Sequence, residues 1–232
     1  GLVISRPGSD PNGGINIRLR GLGSLGANTS PLVIIDGVLG ADINSVDQND
    51  IASIDVLKDA SASAIYGTRG AAGVIIITTK TGVGAPQIDY NGFVTAETVE
   101  NTVDVLTTDE FRNFRGGSNG QFQGNDLGNN TDWFDEITQV GVTQVHSLSL
   151  SGGSKGTSYS VSGNIRDVNG IALNTGFFQA NGRINLQQKA LNDRLTVNAN
   201  LNVTTRDGEF GDPSAFRYAT IYNPTAPVRD PA

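Results

Sequence analysis

Asn16 to Gly82 reads NIRLRGLGSLGANTSPLVIIDGVLGADINSVDQNDIASIDVLKDASASAIYGTRGAAGVIIITTKTG, and its spacing decides the fold of the N-terminal part. Ile15, Ile17 and Leu19 alternate with Asn16, Arg18 and Arg20, the period of a half-buried strand. Leu32 to Ile35 is a continuous apolar strand closed by Asp36-Gly37, a pair suited to a two-residue turn. Ile51 to Lys58 fits both periods: Ile51, Ile54 and Leu57 suit a helix, whereas Ile54 and Val56 suit a strand. Asp59 can cap a helix over Ala60 to Tyr66, with Gly67 free to take the left-handed stop, and Gly73 to Thr79 is a further β-branched strand. The run predicts a small α+β unit of about four strands. Its core is modest for roughly 80 residues, so an enclosing wall is expected to supply much of its stability.

Beyond Pro86 the period changes. In Gln87 to Thr98, Ile88, Tyr90, Val94 and Ala96 oppose Asp89, Asn91, Thr95 and Glu97, with Phe93 as the exception. Thr143 to Ser151, Ser158 to Asp167, Phe177 to Gln187 and Leu195 to Thr204 alternate in the same way. Segments of about 10 residues with this dyad pattern have the length that a tilted strand needs to cross a bilayer. Ser151 to Thr157 and Gln188 to Arg194 read as short turns, Val99 to Val142 and Val168 to Gly176 as longer loops, an alternation found in outer-membrane barrels. A soluble β-sandwich also alternates. The polar faces favour the barrel, being mostly Asn, Ser, Thr and Gln, which suits a water-filled lumen better than an open surface. About five strands cannot close such a wall, so further strands are expected beyond this sequence, with Asp207 to Ala232 in a long loop.

Composition narrows the class. Among 232 residues, 16 basic against 23 acidic side chains disfavour a nucleic-acid surface, and zero Cys removes disulfides, thiolate metal sites and Cys nucleophiles. Gly1 opens into LVISRPGSD with neither Met nor an apolar leader, which predicts a mature or partial chain. No run approaches 18 apolar residues, which excludes a transmembrane helix and leaves a barrel open.

NIRLRG at Asn16 to Gly21, PLVIIDGV at Pro31 to Val38, the block from Asn49 to Gly82, DWFDEIT and HSLSLSGGS stand in an order that resembles SusC/RagA-type TonB-dependent outer-membrane transporters. The resemblance implies a plug domain over 1–82 and the first barrel strands over 83–232, with Ile51 to Lys58 a strand after a short helical turn. It implies a non-enzymatic, energised importer of oligosaccharides or peptides in the outer membrane of a Gram-negative bacterium. The implied partners are outer-membrane lipid, a SusD-like surface lipoprotein, and TonB with ExbB and ExbD acting through a segment upstream of Gly1. No cofactor, metal or nucleic acid is implied. A signalling or assembly receptor without net transport is the alternative on the same scaffold, and a soluble β-rich binding module a more distant one.

Within that frame Arg20 and Arg69, each before a glycine, are candidates for locking the plug to wall carboxylates; local pairing with Asp55, Asp59 or Glu97 is the alternative. Asp10, Asn12, Asp42 and Asn44 fall at the expected plug apex and offer polar groups to a sugar or peptide. Gly21 to Gly26 satisfies G-x-G-x-x-G, yet Pro31 and a strand follow where a nucleotide loop would open a helix, so tight turns are expected. His146 has no acid or nucleophile at a telling spacing and is expected on a strand surface. Asp207, Glu209 and Asp212 lack a calcium-ligand pattern, and Trp133 is expected to pack locally.

Overall fold

A computed structural model describes residues 3–5, 10–19, 30–58, 60–117 and 124–229. Arg20, the Gly21–Gly26 hexad and Asp59 lie outside the described residues, so the lock, turn and cap expected there are not placed.

The N-terminal unit opens with β1 (Val3–Ser5) paired antiparallel to β2 (Asn16–Arg18). The strand expected over Ile15 to Arg20 is shorter than its alternation, because Leu19 leaves the pairing to become nearly inaccessible, 1% exposed, in the core. β3 (Leu32–Ile35) and β4 (Val38–Leu39) form a hairpin in which Asp36 (φ 49°) and Gly37 (φ 87°) are both left-handed, as a two-residue primed turn requires. β5 (Ile51–Leu57) follows a short helical turn at Gln48–Asp50, as expected. α1 (Ala60–Tyr66) then leads to β6 (Val74–Thr79). The sheet order is β4-β3-β6-β5, with β3 parallel to β6 and β5 antiparallel to it. Central β6 is apolar on both faces for a reason: Ile75 and Ile77 join Leu19, Ile35 and Val46, while Val74 joins Ile34 and Ala62 of α1.

The second unit is a meander, β7 (Gln87–Glu97), β8 (Gly141–Ser154), β9 (Thr157–Asn169), β10 (Gly176–Ala190) and β11 (Leu195–Glu209), in the order β11-β10-β9-β8-β7 with antiparallel neighbours throughout. Its strands run 11 to 15 residues; β7 matches its alternating segment to within one residue, β8 to β11 are longer than the alternation alone marks, and Asp207 and Glu209 belong to β11 rather than to the loop after it. The extension arises because the ladder continues past the membrane-facing pattern, where either residue class is tolerated. At one end lie the tight turns: Lys155-Gly156, and 191–194, in which Leu191, Asn192 and Asp193 are all left-handed. At the other lie the long connections. Here α2 (Thr108–Gly117) is opened by reciprocal bonds between Thr107 and Glu110 and tied by its Thr108 hydroxyl to Pro224 O, and α3 (Trp133–Ile137) packs with α4 (Ala215–Ile221). The Thr107 backbone and hydroxyl bonds hold the Glu110 carboxyl below its usual range.

The two faces of this sheet differ sharply. Outward, Ile88, Tyr90, Val94, Leu148, Leu150, Val161, Ile165, Phe178, Ile184, Leu186, Val197, Leu201 and Val203 stand exposed as one apolar layer. Inward, Ser147, Ser160, Asn164, Gln179, Arg183 and Asn185 are buried. Phe178 and Leu186, eight residues apart on β10, bracket a layer about 27 Å long on the strand, or ~21 Å high at a tilt of about 40°. That is close to the ~25 Å apolar band of a membrane barrel. The N-terminal unit covers the polar face.

The connection between the units crosses the turn end of the wall, where the Gly153 amide donates to Gly84 O at 2.8 Å. A methyl group on Gly82 would overlap the backbone of Gly152 and Tyr159, whereas Gly163 and Gly182 on the outer face have open space. Gly82→Val is therefore expected to cost at least about 1–3 kcal/mol and lower the folded fraction. Gly163→Ala and Gly182→Ala should be neutral or slightly stabilising. Heat-modifiable gel mobility of the full-length protein in detergent is the check.

Candidate functional site: the interface between the N-terminal unit and the wall

Three groups of polar contacts join the units. The first is at the loop end. Asp10 closes its own turn, accepting from the Asn12 amide at 2.8 Å through Oδ1 and from the Gly13 amide at 2.9 Å through its carbonyl. The Asn12 side chain reaches the wall: Nδ2 donates to Gly176 O (2.8 Å) and Glu209 O (2.7 Å), and Oδ1 accepts from Arg206 (3.2 Å). Asp42 caps a short helical turn at Ile43–Ser45, accepting from Asn44 N at 2.9 Å and Asn44 Nδ2 at 3.0 Å. The Asn44 carbonyl accepts from Gln179 of β10 at 2.9 Å.

The second group is centred on an ion pair. Arg183 of β10 donates to Asp36 Oδ2 at 3.0 Å, and the two side chains are only 7% and 13% exposed. Asp36 is oriented by β6, accepting from the Thr79 amide and hydroxyl, both at 2.8 Å. Asn185 Nδ2 donates to the same hydroxyl at 2.8 Å. Asn185 Oδ1 and Arg183 Nε are buried without a protein partner among the described residues. A cavity of about 270 Å³ lined by Asn185 with Thr78, Ser158, Asn198 and Asn200 has room for water beside Asn185. Among the described residues this is the only ion pair between the units. Its desolvation makes it costly to break one-sidedly rather than strongly stabilising as a pair.

The third group lies over β7, β8 and β9. Asp47 accepts from Ser147, Asn49 donates to Ser147 and accepts from Asn91, and Ser147 in turn accepts from Asn164 at 2.7 Å. Ser162 donates to Asp50 at 2.6 Å. Burial pushes the Asp50 carboxyl up; the Ser162 bond opposes the rise, Asp47 adds to it, and Arg183 and Lys80 pull it back.

A unit of this build, seated by polar contacts on the inner face of an inside-out sheet, has known relatives. The TonB-dependent Receptor Plug Domain family model matches residues 1–74. The TonB-dependent receptor SusC of Bacteroides thetaiotaomicron is 38% identical over 239 residues, covering 97% of this chain and 24% of SusC. The chain belongs to the SusC/RagA type of TonB-dependent receptors. TonB-dependent receptor P3 of Formosa agariphila is 42% identical over 175 residues, covering 75% of the chain and 17% of that protein. The RagAB peptide importer in its closed-closed state superposes with a TM-score of 0.80 at 28% identity, covering 92% of this chain and 28% of that one. The chain thus spans about a quarter of the length of SusC.

In this SusC/RagA-type receptor the polarity of the buried plug–wall pair is the reverse of the expected lock: the acid is on the plug and the arginine on the wall. Arg69 is exposed on the turn after α1 and forms no ion pair among the described residues. In the sequence Asp36 is marked only by its turn with Gly37, and Arg183 falls within the alternating segment Phe177 to Gln187. The available signal was that Arg183 is the one cation among Gln179, Asn181 and Asn185. The four apex candidates do gather at the loop end, but Asn12 is spent on the wall and Asp42 and Asn44 largely on each other. Trp133 packs edge-on to Tyr222 at 5.0 Å and donates to Asn223 O, as expected of local packing. His146 sits on the outer strand surface, its Nδ1 2.7 Å from the Tyr90 hydroxyl. Among the described residues, no group of three or more acidic or histidine side chains is placed to hold a metal.

Arg183→Leu should weaken plug seating by about 3–5 kcal/mol because Asp36 is left buried and charged, and Asp36→Asn with Arg183→Leu should recover much of that loss. Hydrogen exchange at the Thr79 amide reads both. Because the Asp50 carboxyl is raised in the seated plug, its favourable contribution is complete below the ordinary carboxylate range and is lost as pH rises through the raised value. Plug amides should open more readily at pH 7 than at pH 5 once intrinsic exchange is corrected, and Asp50→Asn should flatten that dependence.

Proposed function

We propose that residues 1–82 are the plug and residues 83–232 the first five strands of the wall in an outer-membrane, TonB-dependent importer. The observation that carries the reading is the inside-out sheet: an apolar outer layer of membrane height and a polar inner face occupied by a seated domain. On this reading an oligosaccharide or peptide arrives at the loop end, handed over by a SusD-like lipoprotein, and meets the apex around Asp10, Asn12, Asp42 and Asn44. The peptide importer RagAB, which shares this fold at 28% identity, supports the transport role.

TonB, energised through ExbB and ExbD, then supplies the work that unseats the plug, because a tightly held ligand and a seated plug must be released together. The Asp36–Arg183 pair is the contact whose rupture costs most among those described, so we assign it the latch. We propose Arg20 and Arg69 as secondary locks to wall carboxylates. The chemistry is binding and release, with no bond made or broken.

This chain has no Cys, so cysteines at Thr79 and Asn185, whose side chains already meet, can tether plug to wall selectively. In the full-length receptor the disulfide is expected to reduce proton-gradient-dependent uptake of labelled glycans or peptides to background, with recovery on reduction. Uptake that persists through the tether, or that is independent of the gradient, would sink the importer reading.

A further inference from the structure

The loop end of the inner face carries a feature that plug seating does not require. Arg166 of β9 and Arg206 of β11 both stand opposite Gln179 of β10, one on each side, so the three side chains form a row across the wall. One step nearer the loops is Phe177, buried at 7% exposure beneath both arginines: the Arg206 guanidinium lies 4.0 Å from the ring centroid and that of Arg166 5.8 Å. An aromatic face under a guanidinium fixes its plane while leaving its edge donors free to point elsewhere. For Arg206 one of those donors meets the Asn12 side-chain oxygen, a neutral acceptor, at 3.2 Å. Among the described residues no carboxylate lies within ion-pair distance of Arg206, in a chain that carries 23 acidic side chains against 16 basic ones. Arg183, by contrast, is neutralised by Asp36.

We infer that Arg206, held over the Phe177 ring, recognises a carboxylate on the incoming ligand, and that the carboxylate takes Arg206 away from Asn12. A planar, fully charged fork matches a carboxylate in two parallel bonds, whereas an amide oxygen occupies only one donor. The exchange is therefore favourable for an anionic ligand and gains nothing for a neutral one. Its consequence reaches the plug, because Asn12 is the residue that ties the Asp10–Asn12 turn to Gly176 and Glu209. Loss of one of its three wall bonds loosens the apex when ligand is present. Gln179, which holds the Asn44 carbonyl from the neighbouring position, is left in place, so the apex is eased rather than freed. The inference rests on the importer reading and adds to it the ligand's charge and the residue that reads it. The carboxylate belongs either to a peptide or to an acidic sugar, and the two are separable by experiment.

The test uses the full-length receptor with four probes: pentaalanine with a free C-terminus, its C-terminal amide, tetragalacturonate and its methyl ester. Binding is measured by calorimetry and uptake in cells with and without the proton gradient. At least one free acid is expected to bind about tenfold or more tighter than its neutral form, with the preference fading as salt rises. The peptide pair and the sugar pair identify which source the site takes. Arg206→Gln should abolish the preference while leaving plug exchange protection at Thr79 unchanged. Arg206→Lys should keep part of it, since the charge remains but the fork is lost, and Phe177→Leu should reduce it without removing it. Equal binding of acid and neutral forms, or no binding of any probe, overturns the inference while leaving the importer reading intact. Binding of a free acid that never accumulates with the gradient on counts against the importer reading instead.

Discussion

Everything in this receptor follows from a wall that is polar on the inside. Asn, Ser, Gln and Arg side chains face a space from which lipid is excluded, and each carries donors or acceptors that cost about 1–3 kcal/mol if buried without partners. Ser147, Asn164 and Gln179 meet that requirement by bonding to one another and to the plug, and Arg183 and Asn185 meet it in part, through Asp36 and Thr79, while Arg183 Nε and Asn185 Oδ1 find no protein partner among the described residues. The plug is therefore both the obstruction in the lumen and the solvent for its lining. Its own sheet, with a core of a few residues such as Leu19, Ile35 and Ile77, gains from the wall the enclosure that its size denies it.

Asp36 shows how economically the two units are matched. Its left-handed backbone is set by the hairpin, which turns the side chain towards β6 and the wall at once. One oxygen takes the Thr79 amide, and the other is shared between the Thr79 hydroxyl and Arg183. A turn residue chosen for φ > 0 is thus also the plug's buried anion. Asn at this position would keep the turn and lose the charge, so the two roles can be separated.

Much of this was legible in the sequence because it depends on local period. The apolar runs LVII and VIIITT mark strands buried on both faces, Asp36-Gly37 marks the hairpin, and the dyad alternation after Pro86 marks which side chains turn inward. What was not legible depends on register between segments more than 100 residues apart. That Arg183 meets Asp36, that Ser162 meets Asp50 and that Asn12 spans the ends of β10 and β11 cannot be read from spacing. Strand ends are set by the ladder as well, since Asp207 and Glu209 continue β11 although their polarity suggests a loop. Residue types at the apex pointed to ligand chemistry, but Asp10 and Asp42 turn out to be capping their own turns first.

On the proposed importer reading, the glycine crossing at the turn end also limits how far the plug can travel. Gly82 is pressed flat against the backbone of β8 and β9, and Gly84 is bonded to Gly153, so the connection is clamped to the wall before β7 begins. From the end of β6 at Thr79 to Gly82 there are three residues of free chain, at most about 10 Å when fully extended. While that clamp holds, β6 can swing or unravel about this point but cannot leave the lumen. The plug is leashed at its C-terminal end, and force applied from its other end works against a fixed pivot.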